Sequence, residues 1–127
     1  MKNLFLFICL LSSSLIFAQA KDCQSFEEGK FKIEDKLVGN STIERYENKQ
    51  VETDENSGMK LEFEVEWKDE CTYTLKLVKV LENPKEIPIP TGMVLRCRII
   101  KTTKNSYVVE STSDDFEGSI KAELIKI

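Results

Sequence analysis

Polar and apolar residues alternate without a break in the stretch Lys60-Leu61-Glu62-Phe63-Glu64-Val65-Glu66-Trp67. A period of two is typical of a β-strand with one buried and one solvated face. Shortly afterwards, Cys71-Thr72-Tyr73-Thr74-Leu75-Lys76-Leu77 alternates in the same way. The two stretches predict a hairpin in which Trp67 lies opposite Cys71 and Leu61 lies opposite Leu77, because this register places every apolar side chain on one face.

The same period continues on both sides of this hairpin. Downstream, a turn over residues 103–105 is expected to place Ile99 opposite Val109, with Asn105 in the left-handed conformation. Upstream, a two-residue turn at Asn48-Lys49 would align Arg45 with Glu52. Further elements are predicted as a helical turn over 22–28, strands over 30–38 and 119–127, and a proline-containing loop over 82–92.

The number and order of these strands determine the expected fold class. About eight sequential antiparallel strands bury one face best in a small up-and-down barrel or half-barrel of lipocalin-like character. A β-sandwich is the alternative. The immunoglobulin version of the sandwich is disfavoured because Trp67 stands next to Cys71 rather than midway between Cys23 and Cys71.

The first 20 residues have the features of a secretory signal peptide. A basic start at Lys2 is followed by an apolar run over 4–11 and by the cleavage-site pattern Ala18-Gln19-Ala20. We therefore expect one β-domain over residues 21–127, periplasmic or secreted. No later apolar run is long enough to predict a transmembrane segment.

Three cysteines follow the predicted signal peptide, so we expect one disulfide and one free thiol in an oxidising compartment. Cys23 and Cys71 lie at the edges of predicted elements and are the preferred pair. Cys97 lies in the middle of a strand on its apolar face, which indicates a small buried hydrophobic residue.

The composition excludes several kinds of chemistry. The chain has no histidine, which excludes Ser-His and Cys-His catalytic pairs and the usual zinc ligand sets. Its net charge of −4 disfavours nucleic acid as a partner. Glu62, Glu64 and Glu66 run along one strand instead of facing one another across a cleft, so they indicate a solvated face. We expect no cofactor, no metal and no catalytic residue.

Large side chains on the predicted inner face are the candidate ligand-binding residues. Phe63, Trp67, Tyr73 and Tyr107 could line a cavity for an apolar ligand, or they could fill the interior of a short barrel. Arg45 has two possible placements: inward, where it could bind a ligand carboxylate, or outward, where it would pair with a glutamate.

The chain resembles a family of short exported bacterial β-proteins whose function is uncharacterised. The shared pattern consists of Asp22-Cys23, Phe26-Glu27-Glu28-Gly29-Lys30-Phe31, Arg45 with Gln50 and Glu52, Trp67, and Cys71-Thr72-Tyr73-Thr74-Leu75. The resemblance covers about residues 22–80 and implies an extracytoplasmic β-domain with Cys23 paired to Cys71. Some members carry a DNA topoisomerase IV label, which this acidic chain, lacking an ATP-binding motif, does not support.

Together these observations favour a non-catalytic, monomeric binding protein for a small apolar ligand or an envelope component. The alternative is a structural or interaction module with a filled core, which would bind a partner through its outer face or its proline-containing loop. An acid-based hydrolase is the least favoured hypothesis, because the strand pattern brings no two carboxylates together across a cleft.

Overall fold

A computed structural model describes residues 20–36 and 39–127. The predicted signal peptide lies outside the described residues, apart from residue 20. Within the described ranges, no helix has the length and apolar character needed to cross a membrane.

Eight antiparallel strands follow one another in sequence order around a closed barrel. They are β1 Gly29–Asp35, β2 Gly39–Tyr46, β3 Lys49–Asp54, β4 Lys60–Trp67, β5 Thr72–Glu82, β6 Val94–Thr102, β7 Ser106–Ser113 and β8 Phe116–Lys126. A short 3₁₀ helix, Gln24–Phe26, precedes β1. The predicted up-and-down barrel is therefore confirmed, and it is a complete barrel rather than a half-barrel or a sandwich.

The β4–β5 hairpin has the predicted strands and faces but a different register. Trp67 pairs with Tyr73, and Phe63 pairs with Leu77. The predicted pairing of Trp67 with Cys71 was wrong because the turn is centred one residue later. The Lys68 N–H donates to the Thr72 carbonyl, and the Asp69 carboxylate accepts the Cys71 N–H. A shift of two residues leaves every apolar side chain on the inner face.

The β2–β3 turn also differs from the prediction. Glu47 and Asn48 form it, both with positive φ (53° and 61°), so Tyr46 pairs with Lys49. Arg45 consequently lies opposite Gln50 instead of Glu52.

In the β6–β7 hairpin, the predicted pairing of Ile99 with Val109 is confirmed. Asn105, however, does not have the predicted positive φ. The Thr103 hydroxyl holds this turn by accepting the N–H groups of Asn105 and Ser106.

One end of the barrel is closed by the segment before β1. The predicted disulfide between Cys23 and Cys71 is formed, with the two Cα atoms 5.3 Å apart, and it ties the 3₁₀ helix to the β4–β5 turn. Phe26, the last residue of this helix, is buried in the core. Both ends of the described chain lie here, because the Asp22 N–H donates to the Thr102 hydroxyl and the Ile127 N–H donates to the Lys30 carbonyl.

The opposite end of the barrel is its mouth, bordered by the β3–β4 and β7–β8 turns and the β5–β6 loop. The seam between β1 and β8 is the shortest ladder of the barrel. Among residues 20–36 and 39–127 it pairs Phe31 with Lys126 and Lys32 with Ile125, both near the closed end, and no further ladder pair joins the two strands. Towards the mouth, Ile120 of β8 is 57% exposed.

The hydrophobic core occupies the closed half of the barrel and the walls above it. Its buried members are Cys23, Phe26, Phe31, Ile43, Phe63, Val65, Tyr73, Leu75, Leu77, Cys97, Ile99, Tyr107, Val109 and Leu124. Because these side chains fill the closed half, any internal ligand must enter from the mouth or the seam.

Candidate functional site

A cavity of about 240 Å³ occupies the mouth half of the barrel. Its apolar wall is formed by Ile33, Ile43, Leu75, Leu95, Val109 and Leu124. Asp35 on β1 and Ile120 on β8 also line the cavity, so it extends to the seam between these strands. The cavity is thus a pocket that is sealed at one end and open to solvent at the other.

Arg45 lies at the centre of the closed half, with 1% of its surface exposed. Its guanidinium makes four hydrogen bonds, to Gln50 Oε1 (2.9 Å), the Phe26 carbonyl (2.9 Å), the Tyr107 hydroxyl (2.7 Å) and the Tyr73 hydroxyl (3.3 Å). These bonds join β2, β3, β5, β7 and the 3₁₀ helix. A single buried side chain therefore cross-links the closed half of the barrel.

Aromatic rings surround the same guanidinium. Its Cζ lies 4.8 Å from the ring centre of Tyr73, 5.2 Å from that of Phe31, and 5.9 Å from those of Trp67 and Tyr107. Ring faces attract a cation, so they replace part of the hydration that Arg45 loses on burial. Burial raises the pKa of the Tyr73 and Tyr107 hydroxyls. Both therefore remain protonated and can accept hydrogen bonds from Arg45.

The polar part of the cavity wall comes from β3. Gln50 is 2% exposed, and its Oε1 accepts a hydrogen bond from Arg45. Because a guanidinium can only donate, this bond fixes the amide with its NH₂ group turned away from Arg45. Gln50 lines the cavity, and its NH₂ group donates no hydrogen bond to the described part of the chain.

Glu52 follows on the same face of β3 and also lines the cavity. Burial raises the pKa of its carboxyl above the ordinary value. The charge of Asp54 raises it further, and Arg45 acts in the opposite direction. Asp54 itself is held in the β3–β4 turn, where it accepts the Asn56 N–H and the Ser57 hydroxyl.

Cys97 is the free cysteine of the described chain and lines the cavity opposite β3. Its Sγ accepts a hydrogen bond from the Ser111 hydroxyl at 3.4 Å. Burial raises the pKa of the Cys97 thiol, so it remains protonated and is a poor nucleophile.

The residues singled out from the sequence fall on two levels of the barrel. Tyr73 lines the cavity. Phe63, Tyr107 and Arg45 are buried in the closed half, and Trp67 packs against the core there, with its ring centre 4.6 Å from that of Tyr73. Arg45 points inward, so the outward pairing with a glutamate does not occur.

Sequence reasoning missed the polar wall of the cavity. Gln50 and Glu52 were noticed only as neighbours of Arg45 and as part of the family pattern. These two residues could have been predicted to face the barrel interior from the position of the β2–β3 turn, which determines which residues of β3 point inward. Placing that turn one residue too late aligned Glu52 with Arg45 and hid the role of Gln50.

Comparison of the chain with models of protein families, with curated proteins and with solved structures gives no match. Across residues 20–36 and 39–127, no group of three or more Cys, Asp or Glu side chains is placed to hold a metal ion. The fold and the cavity therefore carry the functional argument.

Proposed function

We propose that this protein is an exported, monomeric, non-catalytic binding protein that holds a small, largely apolar ligand in the mouth half of its barrel. The observation that carries the proposal is the cavity itself, which is enclosed by apolar side chains above a fully packed closed end. A pocket with mostly apolar walls and a few convergent polar groups is the usual form of a small-molecule site.

The construction of the closed end supports a binding role. The disulfide, the 3₁₀ helix and the hydrogen bonds of Arg45 all brace the half of the barrel that contains no cavity. Such bracing fixes the floor of the cavity, and a preformed surface loses little conformational entropy when a ligand binds.

The cavity limits the size of the ligand. Its volume of about 240 Å³ lies below the roughly 300–1,000 Å³ typical of pockets for drug-sized molecules. A second pocket of about 260 Å³ adjoins it at Ser41 and Glu52 and leaves room there for a polar group of the ligand. We infer a ligand with a single ring or a short chain.

The proposed location is the periplasm or the extracellular space. A disulfide between Cys23 and Cys71 suits an oxidising compartment, and the first 20 residues have the pattern of an export signal. The family resemblance points to the same location.

Native mass spectrometry of protein purified gently from its own source tests the proposal. We expect an added mass that is released on denaturation. Ala122→Phe, which places a large ring in the cavity wall, should lose this mass. Glu123→Phe, at the exposed neighbouring position, should retain it. Circular dichroism checks that both variants fold.

A wild-type protein without added mass would contradict the proposal, and so would an Ala122→Phe variant that still carried its ligand. A bare monomer would favour the alternative module, which binds an envelope partner through its outer face.

A further inference from the structure

The charged groups around the cavity discriminate between ligand classes. Arg45 lies below the cavity floor and is 1% exposed. Its guanidinium donates hydrogen bonds to four partners within the protein. Lys121 also lines the cavity, but its ammonium lies 3.9 Å from Glu110 Oε2 and most of its side chain is exposed. Neither cation is placed to receive a ligand carboxylate inside the barrel.

The Glu52 carboxylate, in contrast, makes no hydrogen bond and no salt bridge with the residues that the structure describes. Glu52 is half-buried, and it lines both the cavity and an adjoining pocket that contains Ser41 and Asp54. A carboxylate that is partly withdrawn from water is stabilised when a cation or hydrogen-bond donors compensate its charge. Asp54 and Asp35 add negative charge on the same side of the mouth.

The neighbouring amide provides a hydrogen-bond donor to the cavity. Gln50 is 2% exposed, and because its Oε1 accepts from Arg45, its NH₂ group turns away from Arg45. No side-chain nitrogen or oxygen that is fully buried in the described residues lacks a partner, so this NH₂ group is accessible from the cavity. Gln50 and Glu52 are two residues apart on one face of β3, so their Cα atoms are separated by about 7 Å. The cavity thus offers one anionic acceptor and, nearby, one neutral donor.

We propose that the ligand is a small organic amine, with its ammonium group bound to Glu52 and its apolar body against Leu75, Leu95 and Val109. An oxygen atom on the ligand would accept the free N–H of Gln50. This inference rests on the proposed function and specifies its ligand class.

Three molecules of similar size separate the ligand classes: 2-phenylethylamine, 2-phenylethanol and phenylacetate. Isothermal titration calorimetry with the wild-type protein should give an affinity for the amine at least about tenfold higher than for the alcohol, because an ion pair in a desolvated site adds to the burial of the ring. Phenylacetate should bind most weakly.

Glu52→Gln tests the residue assignment. Affinity for the amine should fall at least about tenfold, while affinity for the alcohol should change less than about threefold. Glu64→Gln removes an exposed carboxylate from the outer face of β4 and makes the same change in net charge, so it should leave both affinities unchanged. Thermal melting checks the folding of each variant.

The outcomes distinguish this inference from the function on which it rests. If the alcohol binds as tightly as the amine, or if Glu52→Gln does not affect amine binding, the inference is overturned and the ligand-binding function stands. Tightest binding of phenylacetate also overturns it. If none of the three binds at millimolar concentration and the native protein carries no added mass, both proposals fail.

Discussion

Arg45 carries a buried charge without a carboxylate against it. Carbonyl, amide and hydroxyl oxygens satisfy its N–H groups, and aromatic rings lie close to its guanidinium. The energetic consequence is asymmetric, because such a network is inexpensive when complete and costly when one member is lost.

Arg45→Met should lower the free energy of unfolding by about 2–5 kcal/mol, because it leaves Gln50 Oε1 and the Phe26 carbonyl buried without a donor. Arg45→Lys should also destabilise, because one ammonium cannot reproduce the planar geometry of the guanidinium. Urea denaturation measures both. Arg98→Met, which removes an exposed pair with Glu110, should cost less than about 0.5 kcal/mol. Equal losses at the two arginines would refute the cross-linking role.

Glu52, in contrast to Arg45, should lower the stability of the folded protein at neutral pH. Its pKa is raised in the folded protein, mainly by burial, so the folded state binds this proton more tightly than the unfolded chain does. The contribution of Glu52 to stability is therefore greatest at acid pH and is lost as the pH rises through the ordinary and then the folded pKa.

Glu52→Gln is accordingly expected to raise the free energy of unfolding at pH 7 by about 1 kcal/mol. The gain should shrink as the pH is lowered towards the ordinary carboxyl pKa. Thermal melting between pH 4 and pH 8 measures this trend, with Glu64→Gln as the control that lacks it. A ligand-free wild type as stable as Glu52→Gln throughout this range would show that the carboxylate is not strained by burial.

At the scale of elements, alternation predicted strands more reliably than turns. The faces of β4 and β5 follow from the period of two, and a register error of two residues does not change them. The turns have no comparable sequence pattern that fixes their position. Asn48 was recognised as a turn residue, but Glu47, which shares the left-handed conformation with it, is an unusual residue there.

Substitutions in the β2–β3 turn test whether Glu47 is unfavourable in the left-handed conformation. Glu47→Gly should raise the free energy of unfolding by about 0.5–1 kcal/mol, because glycine adopts the observed φ of 53° without steric cost. Asn48→Gly should gain less, since asparagine tolerates this conformation. Chemical denaturation measures both variants, and a loss of stability in Glu47→Gly would indicate that the side chain contributes contacts instead.

The disulfide stabilises the closed end through chain entropy. Its two cysteines are 48 residues apart in sequence, so replacing both by serine should cost about 2–4 kcal/mol. Dithiothreitol should lower the stability of the wild type by a similar amount and leave the double variant unchanged. If the reductant destabilised both proteins equally, the disulfide would not be the cause.

For the molecule as a whole, the up-and-down order of eight strands and the disulfide could be predicted from the sequence, but the closure of the barrel and its division into a packed half and a hollow half could not. Strand periodicity indicates which residues face inward. It does not indicate how far each inward side chain extends along the barrel axis. Arg45, Tyr73 and Tyr107 meet through contacts 28 to 62 residues apart, and only the complete barrel brings them together.

The hollow half of the barrel should undergo local unfolding in solution more readily than the packed half. Amide hydrogen exchange is expected to be on the order of 100-fold faster in residues 120–123 of β8, beyond the described ladder pairs with β1, than in the central part of the β4–β5 hairpin. Exchange followed by NMR, residue by residue, measures this difference. Uniform protection around the barrel would mean that β1 and β8 are as firmly joined as the other strands.

The position of the two ends of the described chain has a practical consequence. Asp22 and Ile127 are both held at the closed end, by bonds to Thr102 and Lys30. A sensor surface, a bead or a fused fluorescent protein attached at Ile127, or just before Asp22 in the proposed exported form, would therefore leave the mouth facing outward and unobstructed. Immobilised and freely diffusing molecules should bind the proposed ligand equally well, which makes this barrel suited to tethered formats.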